Sequence, residues 1–202
     1  NVTKHYQTAR GGRLTAVDGV SLSIMRGESL GLVGESGCGK STIARLLVGL
    51  ETADHGKVQI DGRDRRHLSS PEIKAMRRRV QLVFQDPSGA LDPRMRIGES
   101  LDAPLAAHKL GDAPARRNEA MAMLDAVGLK RPDERLAQYP HRLSGGERQR
   151  VLIAAALAHG PRILIADEPV SALDAELRGE IMALLVRLCR ERGMAMLLVS
   201  HD

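Results

Sequence analysis

Nine consecutive residues, Gly34, Glu35, Ser36, Gly37, Cys38, Gly39, Lys40, Ser41 and Thr42, carry the pattern G-x-x-x-x-G-K-S. That spacing has a chemistry. Glycines let backbone N–H groups curl around phosphate oxygens, and the lysine brings a point charge to the β and γ phosphates of a nucleotide. In this reading Ser41 places its hydroxyl on Mg²⁺, and a helix starting at Gly39 aims its positive dipole end at the anion. The apolar run at 29–33 and the helical pattern at 43–50 supply the strand, loop and helix setting that the pattern requires. The plain alternative is a glycine-rich turn with no ligand.

Further downstream, Asp167 and Glu168 close the apolar run at 162–166. Next to a phosphate cradle, an aspartate there holds Mg²⁺, usually through water, and the next carboxylate takes a proton from the attacking water. Otherwise the pair caps the helix that follows. Ser144-Gly145-Gly146-Glu147 forms an S-x-x-E capping box, and the same geometry leaves a second helix N-terminus open to a phosphate. Gln85 and His201 stand at the ends of the apolar runs 80–84 and 194–199, where ligands bind in α/β sheets, although either residue alone reads as an ordinary loop residue. Ser171 and Asp174 form an S-x-x-D cap for a helix running to Arg192. Tyr6 could fold back onto an adenine or sit half-buried in a strand. Cys38, in a ring of N–H groups at a helix start, is expected to react readily with thiol reagents.

The elements that must position these groups follow from periodicity. Residues 2–6 and 14–24, around the turn-like 9–13, predict an antiparallel hairpin, with further turns at Asp18-Gly19 and Arg26-Gly27. Alternation at 56–62 predicts a short strand closed by turns. Ser69-Ser70-Pro71-Glu72 opens a helix that ends near Arg79, and 80–84 reads as a buried strand. From residue 88 to about 138 helical patterning takes over, most clearly at 97–107 and 114–127, where Ala120, Met121, Leu124 and Val127 mark an apolar face.

A chain of 202 residues suits one domain with an inserted subdomain. The apolar stretches are too short for a bilayer helix and no signal peptide opens the sequence, which predicts a cytosolic address. Two cysteines without metal-ligand spacing fit a reducing compartment. The net charge of +5, from 30 basic and 25 acidic residues, is mild, and the runs at 63–66 and 77–79 read as solvated surface. Only Tyr6, Phe84 and Tyr139 are aromatic, so single-stranded bases find no stacking platform and direct nucleic-acid binding is not expected.

Taken in order, these residues resemble the ATP-binding subunit of an ABC transporter over essentially the whole chain. Residues 34–41 match the Walker A loop, Gln85 the Q-loop, residues 143–147 the signature, and 163–167 the Walker B strand with Glu168 as catalytic glutamate. Residues 171–174 match the D-loop and His201 the switch histidine. A finer likeness to the dipeptide, oligopeptide and nickel import group rests on residues 83–87, on Leu91-Asp92-Pro93-Arg94, and on Tyr139-Pro140-His141. The chain departs from the family at Ala155, where arginine is usual, and in its shorter N-terminal hairpin.

The resemblance implies an α/β fold: a P-loop NTPase core with a mainly parallel sheet, an N-terminal antiparallel β subdomain and an inserted helical signature subdomain. It divides one ABC ATPase domain into 1–86, 87–158 and 159–202, with closing strands expected to follow residue 202, so that the sequence is a fragment. It implies ATP and Mg²⁺ as ligands, with Ser41, Gln85 and Asp167 around the metal and Glu168, Gln85 and His201 around the reacting phosphate. Residues 34–42, Ser144, Gly145, Gly146 and Asp174, with Tyr6 for the adenine, would contact nucleotide. Implied partners are a second ATP-binding subunit meeting this one head to tail, permease subunits and, indirectly, an extracytoplasmic solute-binding protein, at the cytoplasmic face of the inner membrane. The implied function is ATP hydrolysis energising import of a small solute. A soluble ATPase of the same type acting on nucleic acid or ribosomes, and a purely regulatory nucleotide-binding protein, are the competing readings.

Overall fold

The structure, a computed structural model, describes residues 1–8 and 11–201. The chain opens with β1 (Val2–Gln7) and β2 (Arg13–Val20), an antiparallel pair. Then come β3 (Ser29–Val33) and α1 (Lys40–Val48), followed by the short strands β4 (Gln59–Ile60) and β5 (Arg63–Asp64). Helix α2 (Ser70–Arg79) runs directly into β6 (Val80–Val83). A helical stretch follows: α3 (Pro87–Ala90), α4 (Ile97–Ala107), α5 (Ala113–Ala126), α6 (Pro132–Leu136) and α7 (Gly145–Leu157). The described chain closes with β7 (Ile163–Asp167), α8 (Ala175–Glu191) and β8 (Ala195–Ser200).

Strands β3, β8, β7 and β6 lie side by side in that order and are all parallel. Successive strand residues point to opposite faces, so a strand buried on both sides must be apolar at every position. Strand β7 meets that demand up to its last residue, the site aspartate Asp167: Leu164 and Ala166 enter the core shared with α4, α5, α7 and α8, while Ile165 enters a second core with Ala44 and Val48 of α1. The sheet is thus sandwiched between α1 and the helices of the second half. The expected apolar face of α5 is found in the larger core, with Ala120, Leu124 and Val127 buried.

Local chemistry sets the helix ends. Ser69 N–H donates to the Glu72 carboxylate at the start of α2 (2.8 Å), and Ser144 N–H to Glu147 at the start of α7 (2.9 Å). Four expectations are corrected. Asp18-Gly19 is not a turn between elements. It lies inside β2, where Gly19 at φ +59° absorbs a register shift between the Val2–Val20 and Lys4–Val17 pairs, as a bulge does. Strand β2 stops at Val20 rather than continuing to residue 24. The strand expected over 56–62 shrinks to Gln59–Ile60, because Asp61 (φ +51°) and Gly62 (φ +76°) make a tight two-residue turn back into β5. Ser171 does not cap α8. Asp174 does, its carboxylate accepting the Leu177 N–H at 2.9 Å. Of the turn expected at 9–13, Ala9 and Arg10 lie outside the described residues.

Candidate nucleotide site

The loop between β3 and α1 folds around Lys40. The residue is only 6% exposed, and its ammonium donates to the carbonyls of Gly34 and Glu35, both at 2.7 Å, and lies 3.9 Å from the Cys38 thiol. Gly39 adopts φ +101°, and a Cβ there would lie 2.0 Å from the Ala16 carbonyl oxygen of β2, so no other residue fits. Gly37 also has positive φ, at +82°. The first intrahelical bond of α1 runs from Ile43 N–H to the Gly39 carbonyl. The amides of Lys40, Ser41 and Thr42 therefore point out of the helix start with no helical acceptor, as an anion site needs. Glu35, Ser36 and Cys38 form the exposed rim.

The carboxyl ends of β6, β7 and β8 bring the remaining chemistry alongside. Ser41 Oγ donates to Asp167 Oδ1 at 3.0 Å, tying α1 to β7. Asp167 is 8% exposed, and its carboxyl is pushed above the usual carboxylate range, first by burial and then by the neighbouring Glu168 charge; Ser41, Arg45 and Lys40 pull it back. A hydroxyl and a carboxylate are hard oxygen donors, the set that Mg²⁺ favours, and a nearby cation would favour the ionised form of Asp167. No group of three or more His, Cys, Asp or Glu gathers to hold a metal among the described residues.

Glu168 is held from two sides. Its Oε2 accepts from Gln85 Nε2 at 3.0 Å, and its Oε1 lies 3.0 Å from His201 Nδ1. Its backbone sits at φ +47°, in the left-handed region that a glutamate seldom adopts. Two residues 83 and 33 positions away from Glu168 along the chain thus converge on it only because β6, β7 and β8 are neighbours and end on the same edge. The arrangement can polarise a water lying beside the cradle and can adjust as Gln85 or His201 moves.

Other expected site residues are not brought to the cradle. Ser144 caps α7 and Gly145 and Gly146 begin it: a Cβ at Gly146 would lie 3.2 Å from Leu177 of α8, and one at Gly145 would lie 3.8 Å from Leu173 in the turn before α8. Asp174 caps α8. Tyr6 pairs with Leu14 across the hairpin, with the Lys4 ammonium 5.4 Å from its ring centre and its hydroxyl buried without a partner. A larger cavity, of about 860 Å³, lies between α1 and the segment after β2, lined by apolar residues such as Val20, Ile24, Leu47 and Ile165, and holds none of the candidate residues.

Sequence reasoning missed Arg65, read as part of a solvated basic run. Its guanidinium donates to the carbonyls of Leu46, Gly49 and Glu51 at 3.3, 2.7 and 3.3 Å, capping the carboxyl end of α1. No spacing rule flags it, because the contact spans a loop of changing direction.

With this geometry in place, comparison with known proteins decides the family. The profile described as "ABC transporter" matches residues 17–171. The chain belongs to the ABC transporter family. The ABC fold is matched over the whole chain by a dimeric post-hydrolysis structure of an ATP-binding cassette bound to ADP and Pi, with a TM-score of 0.87 and 35% identity, covering 86% of that chain. Among curated ABC proteins, the dipeptide transport ATP-binding protein DppF of Escherichia coli is 42% identical over 100% of this chain and 61% of its own length. The glutathione import ATP-binding protein GsiA of Salmonella typhimurium is 46% identical over 93% of this chain and 30% of its own length. The chain therefore spans less than two thirds of the length of these relatives. No helix of the ABC chain is long and apolar enough to cross a membrane among the described residues.

Proposed function

We propose that this chain is the ATP-binding and ATP-hydrolysing part of an importer, energising uptake of a peptide or similar small solute, with nickel as a further candidate, through a membrane permease. The observation that carries the reading is Glu168, set between Gln85 and His201 beside the Ser41–Asp167 contact. Similarity to DppF and GsiA supports the peptide class of solute.

In this reading the loop amides and Lys40 hold the β and γ phosphates, the ammonium exchanging its two loop carbonyls for phosphate oxygens. Ser41, Gln85 and Asp167 would hold Mg²⁺. When bound, the ion neutralises charge that develops on the phosphates. Glu168 orients the attacking water and accepts its proton, and His201 contacts the γ phosphate. Ser144, Gly145 and Gly146, remote from the chain's own cradle, serve the nucleotide of a second subunit, and Asp174 bridges the two sites. Tyr6 is assigned to the adenine. The helical segment 87–158, joined to the core at 1–86 and 159–202, carries the motion from Gln85 to permease subunits at the cytoplasmic face of the membrane, and a solute-binding protein engages indirectly. The chemistry is positioning and charge neutralisation.

The test is Glu168→Gln in the full-length protein. It keeps the hydrogen bonds but removes the base, so ATP binding is expected to persist while turnover falls by at least a hundredfold, and a closed dimer accumulates. Hydrolysis at the wild-type rate would remove Glu168 from this role.

A further inference from the structure

We infer that Arg178 is a positioning residue for ATP hydrolysis, bracing the strained segment that carries Glu168; the inference rests on the reading above. Glu168 occupies a left-handed backbone conformation (φ +47°), which persists only where the surroundings over-determine it. Its amino side is fixed by the sheet, with Glu168 N–H donating to the Val199 carbonyl of β8 at 3.0 Å. Its carboxyl side is fixed by a turn. Ser171 N–H and Oγ both donate to the Glu168 carbonyl at 3.2 Å, and Leu173 N–H donates to Val170 at 3.1 Å.

That turn needs an anchor of its own, and α8 supplies it. Arg178 Nε donates to the Leu173 carbonyl at 2.8 Å, one helical turn back along the chain. The Leu173 side chain is buried, and Leu177 packs against Gly146 at the start of α7. The Arg178 side chain also lines a cavity of about 350 Å³ whose wall includes Glu168, Ser171 and His201. Without the guanidinium, the Leu173 carbonyl loses its side-chain donor and the far end of the turn is free. Glu168 then relaxes toward an ordinary backbone conformation, and its carboxylate leaves the bonds to Gln85 and His201. Lys40 and the loop carbonyls it meets share no hydrogen bond with Arg178, so the main hold on the phosphates is kept and nucleotide affinity changes far less than turnover.

The experiment compares wild type, Arg178→Met and Arg178→Lys in the full-length protein. Methionine keeps the apolar stem and loses the donor, whereas lysine retains a donor for the same carbonyl. We expect Arg178→Met to lower kcat by about tenfold or more, since small misplacement of a reacting group is costly. KM for ATP should stay within twofold, and Arg178→Lys should recover part of kcat. Amide hydrogen exchange of a peptide spanning residues 168–174 should be faster in Arg178→Met than in wild type. A kcat within twofold of wild type, or a loss of kcat and ATP affinity together, overturns the brace. Should the wild type itself lack ATPase activity, the functional reading fails, and exchange still decides: unchanged exchange in Arg178→Met overturns the brace independently.

Discussion

Two cysteines report on the site at the scale of single residues. Cys38 is exposed on the rim of the phosphate loop, 3.9 Å from the Lys40 ammonium, whereas Cys189 is buried in the larger core and burial pushes its thiol up to about 11. A thiol must be within reach of the reagent to react, and only Cys38 is exposed. Brief treatment of the folded protein with iodoacetamide is expected to give a single adduct, mapped to Cys38 by mass spectrometry. A nucleotide held by the loop amides covers that thiol, so saturating MgATP should slow the reaction by at least tenfold. Equal labelling of both cysteines, or labelling indifferent to MgATP, would contradict the placement. Glu168 makes a complementary point. Its type and position were readable from residues 163–168, but its left-handed backbone was not, because that conformation is imposed by β8 and the 171–174 turn rather than by any local preference.

Helix α1 is the element on which the cradle depends, and its two ends are held by different means. The amino end is open, with amides free for an anion, and the carboxyl end is closed by Gly49 at φ +82° and by three hydrogen bonds from Arg65. Hydrogen bonds from a charged donor to carbonyls contribute about 1.5–3 kcal/mol in total where partly buried. Arg65→Met should therefore lower the melting temperature by roughly 5 °C in a domain of this size. Arg65→Lys, which reaches fewer of the three carbonyls, should fall between; a melting temperature within 1 °C of wild type for Arg65→Met would show that backbone closure at Gly49 suffices. The contrast between the two ends explains what was legible in the sequence. The strand, loop and helix around residues 34–42 could be read because glycine, lysine and apolar periodicity are local signals. So could α4, whose expected and observed limits coincide at Ile97–Ala107. Arg65, the bulge at Gly19 and the choice of Asp174 over Ser171 as the cap of α8 depend on contacts across space, where spacing along the chain carries no signal.

At the scale of the whole molecule, the helical stretch meets the α/β core at a pair of histidines. His108 follows α4 and His159 follows α7, their rings edge to face with centroids 5.4 Å apart, and Arg78 of α2 donates from Nε to the His159 carbonyl at 3.1 Å. His159 is 5% exposed, and the backbone of Ala156 and Ala155 beside its ring offsets part of the effect of burial. Burial lowers the basicity of both imidazoles, and positive neighbours lower it further: Lys74 and Arg78 for His108, and His108 and Arg78 for His159. The unfolded chain titrates these rings near 6.5 and the folded chain below that. Between the two values the unfolded state binds more protons, so stability is complete above about pH 6.5 and is lost as pH falls through the folded values. Two strongly held carboxylates stay clear of this window, whereas Asp167, raised by burial, acts with the opposite sign, gaining stability as it takes up a proton. Glu72 and Asp64 are held at about 2 by Ser69 and Arg66 respectively, so what they contribute is lost only in more acid solution, below their ordinary values of 4.5 and 3.8. Melting temperature is therefore expected to fall between pH 7.5 and 5.5 in the wild type. In His159→Phe, which keeps a ring against His108 but cannot take up a proton, the fall should be visibly shallower. Equal slopes in the two proteins would mean that this joint does not take part in the acid response.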